Sequence, residues 1–157
     1  GMGIIMYERL LEKLNQTKAI RWFPNKGAEE AAIVEVEQEL GYALPPSYRW
    51  WARHVNSGYM NGGNILCIGP SEYRDLNDSD LLYIHRLNVE DADWRAQFPH
   101  RLDLFVPDAD ELFFFDTSKA DTEGEFPVMC YDLMNADIYE YAPTFAAFLG
   151  QLIDERS

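Results

Sequence analysis

The chain has 157 residues, of which 47% are hydrophobic and 14% aromatic, enough apolar material for the core of one compact domain. Its 27 acidic residues outnumber its 13 lysines and arginines, giving a net charge of −14. This charge repels nucleic acid and anionic membrane surfaces. We therefore expect a single domain over residues 1–157, with neither nucleic acid nor membrane among its partners.

The N-terminal part of the sequence predicts two or three helices. Leu10, Leu11 and Leu14 lie on one face of a predicted helix from Met6 to Lys18. No apolar run approaches the roughly 20 residues that a membrane helix needs. Charged residues stand where a signal peptide would have its apolar centre. We therefore expect a cytoplasmic protein.

The segment from Glu39 to Gly63, ELGYALPPSYRWWARHVNSGYMNGG, joins a helix end, a helix start and a glycine turn. Gly41 follows the apolar positions of a predicted helix from Ala28 to Leu40, where a left-handed glycine would end it. Pro45 and Pro46 stand where prolines begin the next helix, since a first turn does not need their missing N–H groups. One stripe of that helix is predicted to be buried: Tyr48, Trp51, Ala52 and Val55.

The middle of the chain alternates apolar runs with acidic turns. Two short apolar runs, Ile65 to Ile68 and the region from Leu81 to Ile84, flank a turn-rich acidic stretch. A helix from Asn88 to Phe98 is predicted to be capped by Asn88 and to follow that second run.

The remaining sequence predicts a strand meander and a closing helix. Turns rich in Pro, Gly, Asp and Asn separate four predicted strands: Leu102 to Val106, Leu112 to Phe115, Val128 to Tyr131 and Ile138 to Tyr141. From Phe145 to Ile153 the apolar residues follow a helical spacing, so a terminal helix should pack on the sheet. The order predicts an α+β fold: an antiparallel-rich sheet with helices packed on one side, including N-terminal helices and a C-terminal helix.

Three segments carry a family resemblance: LGYALPPSYRWW with the NGG that follows it, LFFFDTSKADTEGEFPVMCYD, and YAPTFAAFLGQLI. Together they resemble the SUKH superfamily, which includes bacterial toxin-immunity proteins and a fungal regulator of cell-wall synthesis. The resemblance extends over about residues 28–153, except for Ser71 to Arg101. It implies an immunity protein that neutralises a cognate bacterial toxin, many such toxins being basic nucleases.

The charge is concentrated in one part of the chain. Residues 1–71 contain 7 acidic and 7 basic residues, whereas residues 72–140 contain 18 acidic and 5 basic residues, a net charge of −13. A region of this kind increases the encounter rate with basic proteins. One alternative is a solvated surface that serves solubility alone. Another is halophilic adaptation, which the balanced charge of residues 1–71 disfavours.

The candidate residues for contacting a basic partner come from acidic turns and from two tryptophans close to charged residues. Carboxylates in such turns should stay exposed, because few basic residues lie nearby to pair with them. A tryptophan with charged neighbours can anchor a protein interface; the alternative interpretation is that each covers a flank of the core. The candidates are Asp75, Asp78, Asp80, Asp108, Asp110, Glu111, Asp121, Glu123, Glu125, Trp50 and Trp94.

Sequence signatures of catalysis and of metal or cofactor binding are absent. His54, His85 and His100 lack the spacing of a zinc site. Cys67 and Cys130 lie in apolar runs without a CxxC motif, which predicts buried free thiols. No GxSxG, GxGxxG or GxxxxGK motif occurs. We therefore expect a non-enzymatic protein without cofactor or metal.

Two other functions remain open from the sequence. One is a regulatory scaffold outside toxin systems, comparable to the fungal relatives. The other is a hydrolase that uses acidic residues. Repulsion between acidic faces favours a monomer over an oligomer.

Overall fold

Two antiparallel sheets and the helices around them make up the described part of the chain. The coordinates are a computed structural model that describes residues 2–23, 26–60, 63–76, 78–107 and 110–156. The helices are α1 (Met2–Gln16), α2 (Glu30–Leu40), α3 (Pro46–His54), α4 (Leu81–Val89), α5 (Ala92–Gln97) and α6 (Phe145–Arg156), with a 3-10 helix over Ser71–Leu76. The strands are β1 (Tyr59–Met60), β2 (Gly63–Ile65), β3 (Arg101–Asp103), β4 (Phe105–Pro107), β5 (Glu111–Asp116), β6 (Val128–Asp132) and β7 (Asp137–Ala142). The predicted α+β class is confirmed.

The strand predicted from Leu102 to Val106 is in fact two strands that belong to different sheets. β3 joins the four-stranded sheet, in the order β3-β5-β6-β7, whereas β4 joins the small sheet, in the order β1-β2-β4. The chain changes sheets at Leu104, whose N–H donates to Phe113 O and whose carbonyl accepts from Leu66 N–H. Leu102, Leu104 and Phe105 are all buried, so the apolar residues do not mark the position of the break.

The helix junction around Gly41 is confirmed. Gly41 has φ 88° and ψ 11°, the left-handed conformation of a C-cap, and its N–H donates to Glu37 O. Pro45 occupies the N-cap of α3 and Pro46 its first turn. All four residues predicted for the buried stripe are buried: Tyr48, Trp51, Ala52 and Val55.

The region from residue 80 to residue 98 differs from its prediction. The apolar run from Leu81 to Ile84 forms the start of α4, because the Asp80 carboxylate caps this helix. The predicted cap at Asn88 is wrong. Asn88 lies in α4, and α5 begins after Asp91, whose carboxylate accepts two backbone N–H groups of the first turn.

An aromatic cluster joins α3, β5 and α6 on one face of the four-stranded sheet. Tyr48 of α3 contacts Phe115 of β5 and Phe145 of α6, with ring centroids 5.8 Å and 5.1 Å away. Phe113 of β5 contacts Phe148 of α6 at 5.1 Å. These rings supply much of the buried apolar surface of the domain.

The other face of the same sheet is covered near β3. There Phe98, which follows α5, packs edge-on against Phe114 at 5.1 Å. The Arg101 guanidinium lies 4.9 Å from the Trp94 ring centroid and 5.2 Å from that of Phe114. Helices therefore cover one face of the sheet as predicted, and the α5 segment adds a partial cover on the second face.

Candidate functional site

Ion pairs neutralise some carboxylates of the described residues and not others. Arg49 bridges Glu30 and Glu37 between α3 and α2, and Lys13 pairs with Asp154 at 2.8 Å. A further group of carboxylates belongs to no ion pair among the described residues: Asp78, Asp110, Asp121, Glu123, Asp132, Asp137 and Glu140. Most of these are exposed, so their charge is available to a partner.

In the segment from Asp75 to Asp80 the structure separates the three candidate carboxylates. The Asp75 side chain is 83% exposed and lies 3.7 Å from Arg86, and Asp78 is exposed. Asp80 was expected on the surface, and this is wrong because it is fully buried. Its carboxylate accepts from Gly69 N–H at 2.9 Å and from Arg74 Nε at 3.2 Å, so it has a structural role.

The turn from Asp121 to Glu125 likewise contains exposed and buried acids. Asp121 and Glu123 are exposed, and the Asp121 carboxylate accepts from the N–H groups of Glu123 and Glu125 at 2.8 Å and 2.9 Å. Glu125 was expected on the surface and is instead 6% exposed. Burial raises the pKa of Glu125, and two hydrogen bonds from Ser47 oppose this shift. Glu125 therefore holds the fold together and is not free to meet a partner.

Trp50 lies beside this turn, which the sequence did not predict. Its ring stacks on Tyr7 of α1, with centroids 4.9 Å apart and planes 8° apart. The two rings line a groove together with Glu123, Arg49 and Arg53. Trp50 is half-buried and covers the flank of α1, while its remaining surface faces this groove of mixed charge.

Trp94 is half-buried beneath Arg101. The Arg101 guanidinium is held by Asp103, with Nε 2.5 Å from Oδ1. Trp94 contacts His85 edge-on at 6.0 Å, and burial lowers the pKa of His85. These contacts indicate that much of Trp94 covers the flank of the core, with Asp91 and Asp93 exposed beside it.

Asp110 and Glu111 lie at one end of the four-stranded sheet, and Asp108 lies outside the described residues. The sheet register places Glu111 opposite Asp132, and Asp132 opposite Asp137. Sequence reasoning missed this group because the acids of the β6–β7 hairpin were not singled out. Only the register of the folded sheet brings these acids together, so their positions along the chain do not indicate the group.

Sulfur and metal chemistry have little support in the described residues. Cys130 is buried and Cys67 half-buried, and neither forms a disulfide bond. Burial raises the pKa of Cys130 to about 11, so its thiol is neutral and unreactive at neutral pH. In the described ranges no three His, Cys, Asp or Glu side chains are grouped so as to hold a metal ion. No helix within those ranges combines the length and the apolarity that crossing a membrane requires.

Comparison with models of known protein families identifies a match over most of the chain. The family model for the SMI1 / KNR4 family (SUKH-1) matches residues 27–151. No curated protein matches the chain.

Proposed function

The chain belongs to the SMI1 / KNR4 family (SUKH-1), and we propose that it is a non-enzymatic immunity protein that neutralises a cognate bacterial toxin by binding it. The toxin is a basic protein, of the kind that includes nucleases acting on polyanions. The chain acts in the cytoplasm as a monomer, without cofactor, and contacts no nucleic acid itself.

The observation that carries this proposal is the exposed negative charge that no ion pair among the described residues neutralises. Asp78, Asp110, Asp121 and Glu123 are exposed, and none of them belongs to an ion pair of the described residues. A surface of this kind steers a basic protein into encounter and excludes acidic competitors. An acidic surface bound over the cleft of a nuclease would occupy the place of the nucleic acid, so inhibition needs no catalytic step.

The test is co-expression with the product of the gene immediately upstream. We expect that product alone to stop bacterial growth, and this chain to restore growth and to co-purify with it. Salt should weaken the purified complex, because exposed charge pairs are screened. A non-toxic upstream product that forms no complex would contradict the proposal and favour a regulatory scaffold outside toxin systems.

A further inference from the structure

The β6–β7 hairpin presents two apolar side chains to solvent on a fixed turn. Leu133 is 48% exposed and Met134 76% exposed. The Asp132 carboxylate accepts from the N–H groups of Met134 and Asn135 at 3.0 Å and 3.3 Å. Leu133 N–H donates to Asp110 O at 2.8 Å. Because the backbone is already held, binding at this turn costs little ordering entropy.

Carboxylates adjoin this apolar tip at the end of the sheet, and three of them occupy facing positions on neighbouring strands. Glu111, Asp132 and Asp137 are register partners on three adjacent strands, and like charges placed directly opposite each other destabilise a sheet. Arg156 lies 3.9 Å from Glu111, but no ion pair of the described residues includes Asp132 or Asp137. The amide of Asn135 donates to Asp132 at 2.7 Å and holds the pKa of that carboxyl below its ordinary value, so the charge persists.

We propose that this hairpin surface is the central contact with a basic protein partner. It consists of the apolar tip, Leu133 and Met134, and the adjoining acids Asp110, Glu111, Asp132 and Asp137. This inference rests on the proposed function and names its contact region. The hairpin surface fits a partner protein whose contact face has an apolar pocket flanked by arginine or lysine.

Two physical arguments select this partner. An apolar anchor with polar groups beside it has the organisation of an interface hot spot, where the flanking groups help to exclude water from the central contact. Cations of the partner would also relieve the repulsion between the opposed carboxylates. An acidic or neutral partner would bury these charges without compensation.

A second exposed apolar site provides a matched control. Leu76 of the 3-10 helix is 84% exposed and is also close in sequence to exposed acids, Asp75 and Asp78. At this site Arg86 lies 3.7 Å from Asp75, so part of the charge is already balanced. Leu76→Ser removes the same kind of side chain from a different surface.

The first experiment measures the affinity of purified variants for the product of the upstream gene. Leu133→Ser together with Met134→Ser should weaken binding on the order of tenfold or more, whereas Leu76→Ser should change it less than about threefold. Asp137→Asn should weaken binding and also raise the melting temperature, since it removes a repulsive charge. A wild-type complex that tolerates the double change, or that is lost with Leu76→Ser, would overturn the hairpin surface as the contact.

A second experiment separates failure of this surface from failure of the immunity function. The ¹⁵N-labelled protein is titrated with a synthetic peptide of alternating arginine and leucine, and amide shifts are mapped. Shifts concentrated at Leu133, Met134 and Asp137 support the hairpin surface even where the upstream product forms no complex. Equal shifts at all acidic segments, or a maximum near Leu76, overturn it.

Discussion

Ser47 and Glu125 lie 78 positions apart in the chain and are joined by two hydrogen bonds. The Ser47 N–H donates to Glu125 Oε2 at 2.9 Å, and its hydroxyl donates to Oε1 at 2.8 Å. The same hydroxyl accepts from Ala146 N–H at 3.1 Å. One residue from each of the three segments that carry the family resemblance therefore meets in one buried junction, which ties the starts of α3 and α6 to the β5–β6 connection.

Removing the Glu125 carboxylate should destabilise the protein. Glu125→Ala leaves the Ser47 N–H at the buried start of α3 without its acceptor, which we expect to cost about 2 kcal/mol in the free energy of unfolding. Urea denaturation measures this cost. Glu123→Ala, on the exposed part of the same turn, is the control and should stay within about 0.5 kcal/mol of the wild type. Equal effects of the two changes would contradict the structural role of Glu125.

The Glu125 junction also predicts a specific pH dependence. Burial raises the pKa of Glu125 above its ordinary 4.5, so the folded state binds its proton more tightly than the unfolded state. Its contribution to stability is therefore complete below about pH 4.5 and falls as the pH rises through the folded pKa. The difference in unfolding free energy between the wild type and Glu125→Gln isolates this contribution, since the other carboxyls cancel. If the wild type instead gained stability relative to Glu125→Gln from pH 4 to pH 7, the predicted pH dependence of Glu125 would be contradicted.

Asp80 and Asp78 should respond very differently to the same substitution. Asp80→Ala removes the closer and buried carboxylate partner of the Arg74 guanidinium, which is 3% exposed, and leaves it only the exposed Glu35 at 3.9 Å. The loss of one member of a buried pair costs about 3–5 kcal/mol. Asp78→Ala changes an exposed side chain and should cost less than about 0.5 kcal/mol. Thermal unfolding of both variants measures the contrast, and a small loss for Asp80→Ala would refute the buried pairing.

Charge reversal at the end of the sheet should slow the association with a basic toxin. Asp110→Lys with Glu111→Lys is expected to lower the association rate constant on the order of tenfold and to reduce its salt dependence. Glu8→Lys with Glu12→Lys makes the same change in net charge at exposed residues of α1 that do not belong to this surface, and should have the smaller effect. Stopped-flow measurements with both variants decide the point. Equal slowing would show that net charge alone steers association.

The sequence predicted those parts of the fold that local chemistry determines. Gly41 and the two prolines specify the junction between α2 and α3 through backbone conformation alone. The helical spacing from Phe145 to Ile153 was sufficient to predict α6 and its buried face. The strand prediction failed at Leu104 because hydrogen bonds to two different sheets, which no apolar pattern encodes, decide where a strand ends.

The surface was predicted less well than the fold, for a physical reason. Asp80 and Glu125 lie in acidic stretches whose composition indicates solvent, yet each meets distant donors that only the tertiary structure brings together. For the same reason, the sequence did not predict the groove between Trp50 and Glu123 or the row of acids across β5, β6 and β7. Composition gives the sign of the charge, whereas the fold decides which charges remain exposed.

The measurement that tests the account most directly is the association rate constant of this protein with the upstream gene product, determined as a function of ionic strength. Charge-steered binding predicts that the rate constant falls steeply, on the order of tenfold or more, as salt is raised from about 0.01 M to about 1 M. A complex whose association rate does not change over this range would contradict neutralisation through an acidic surface.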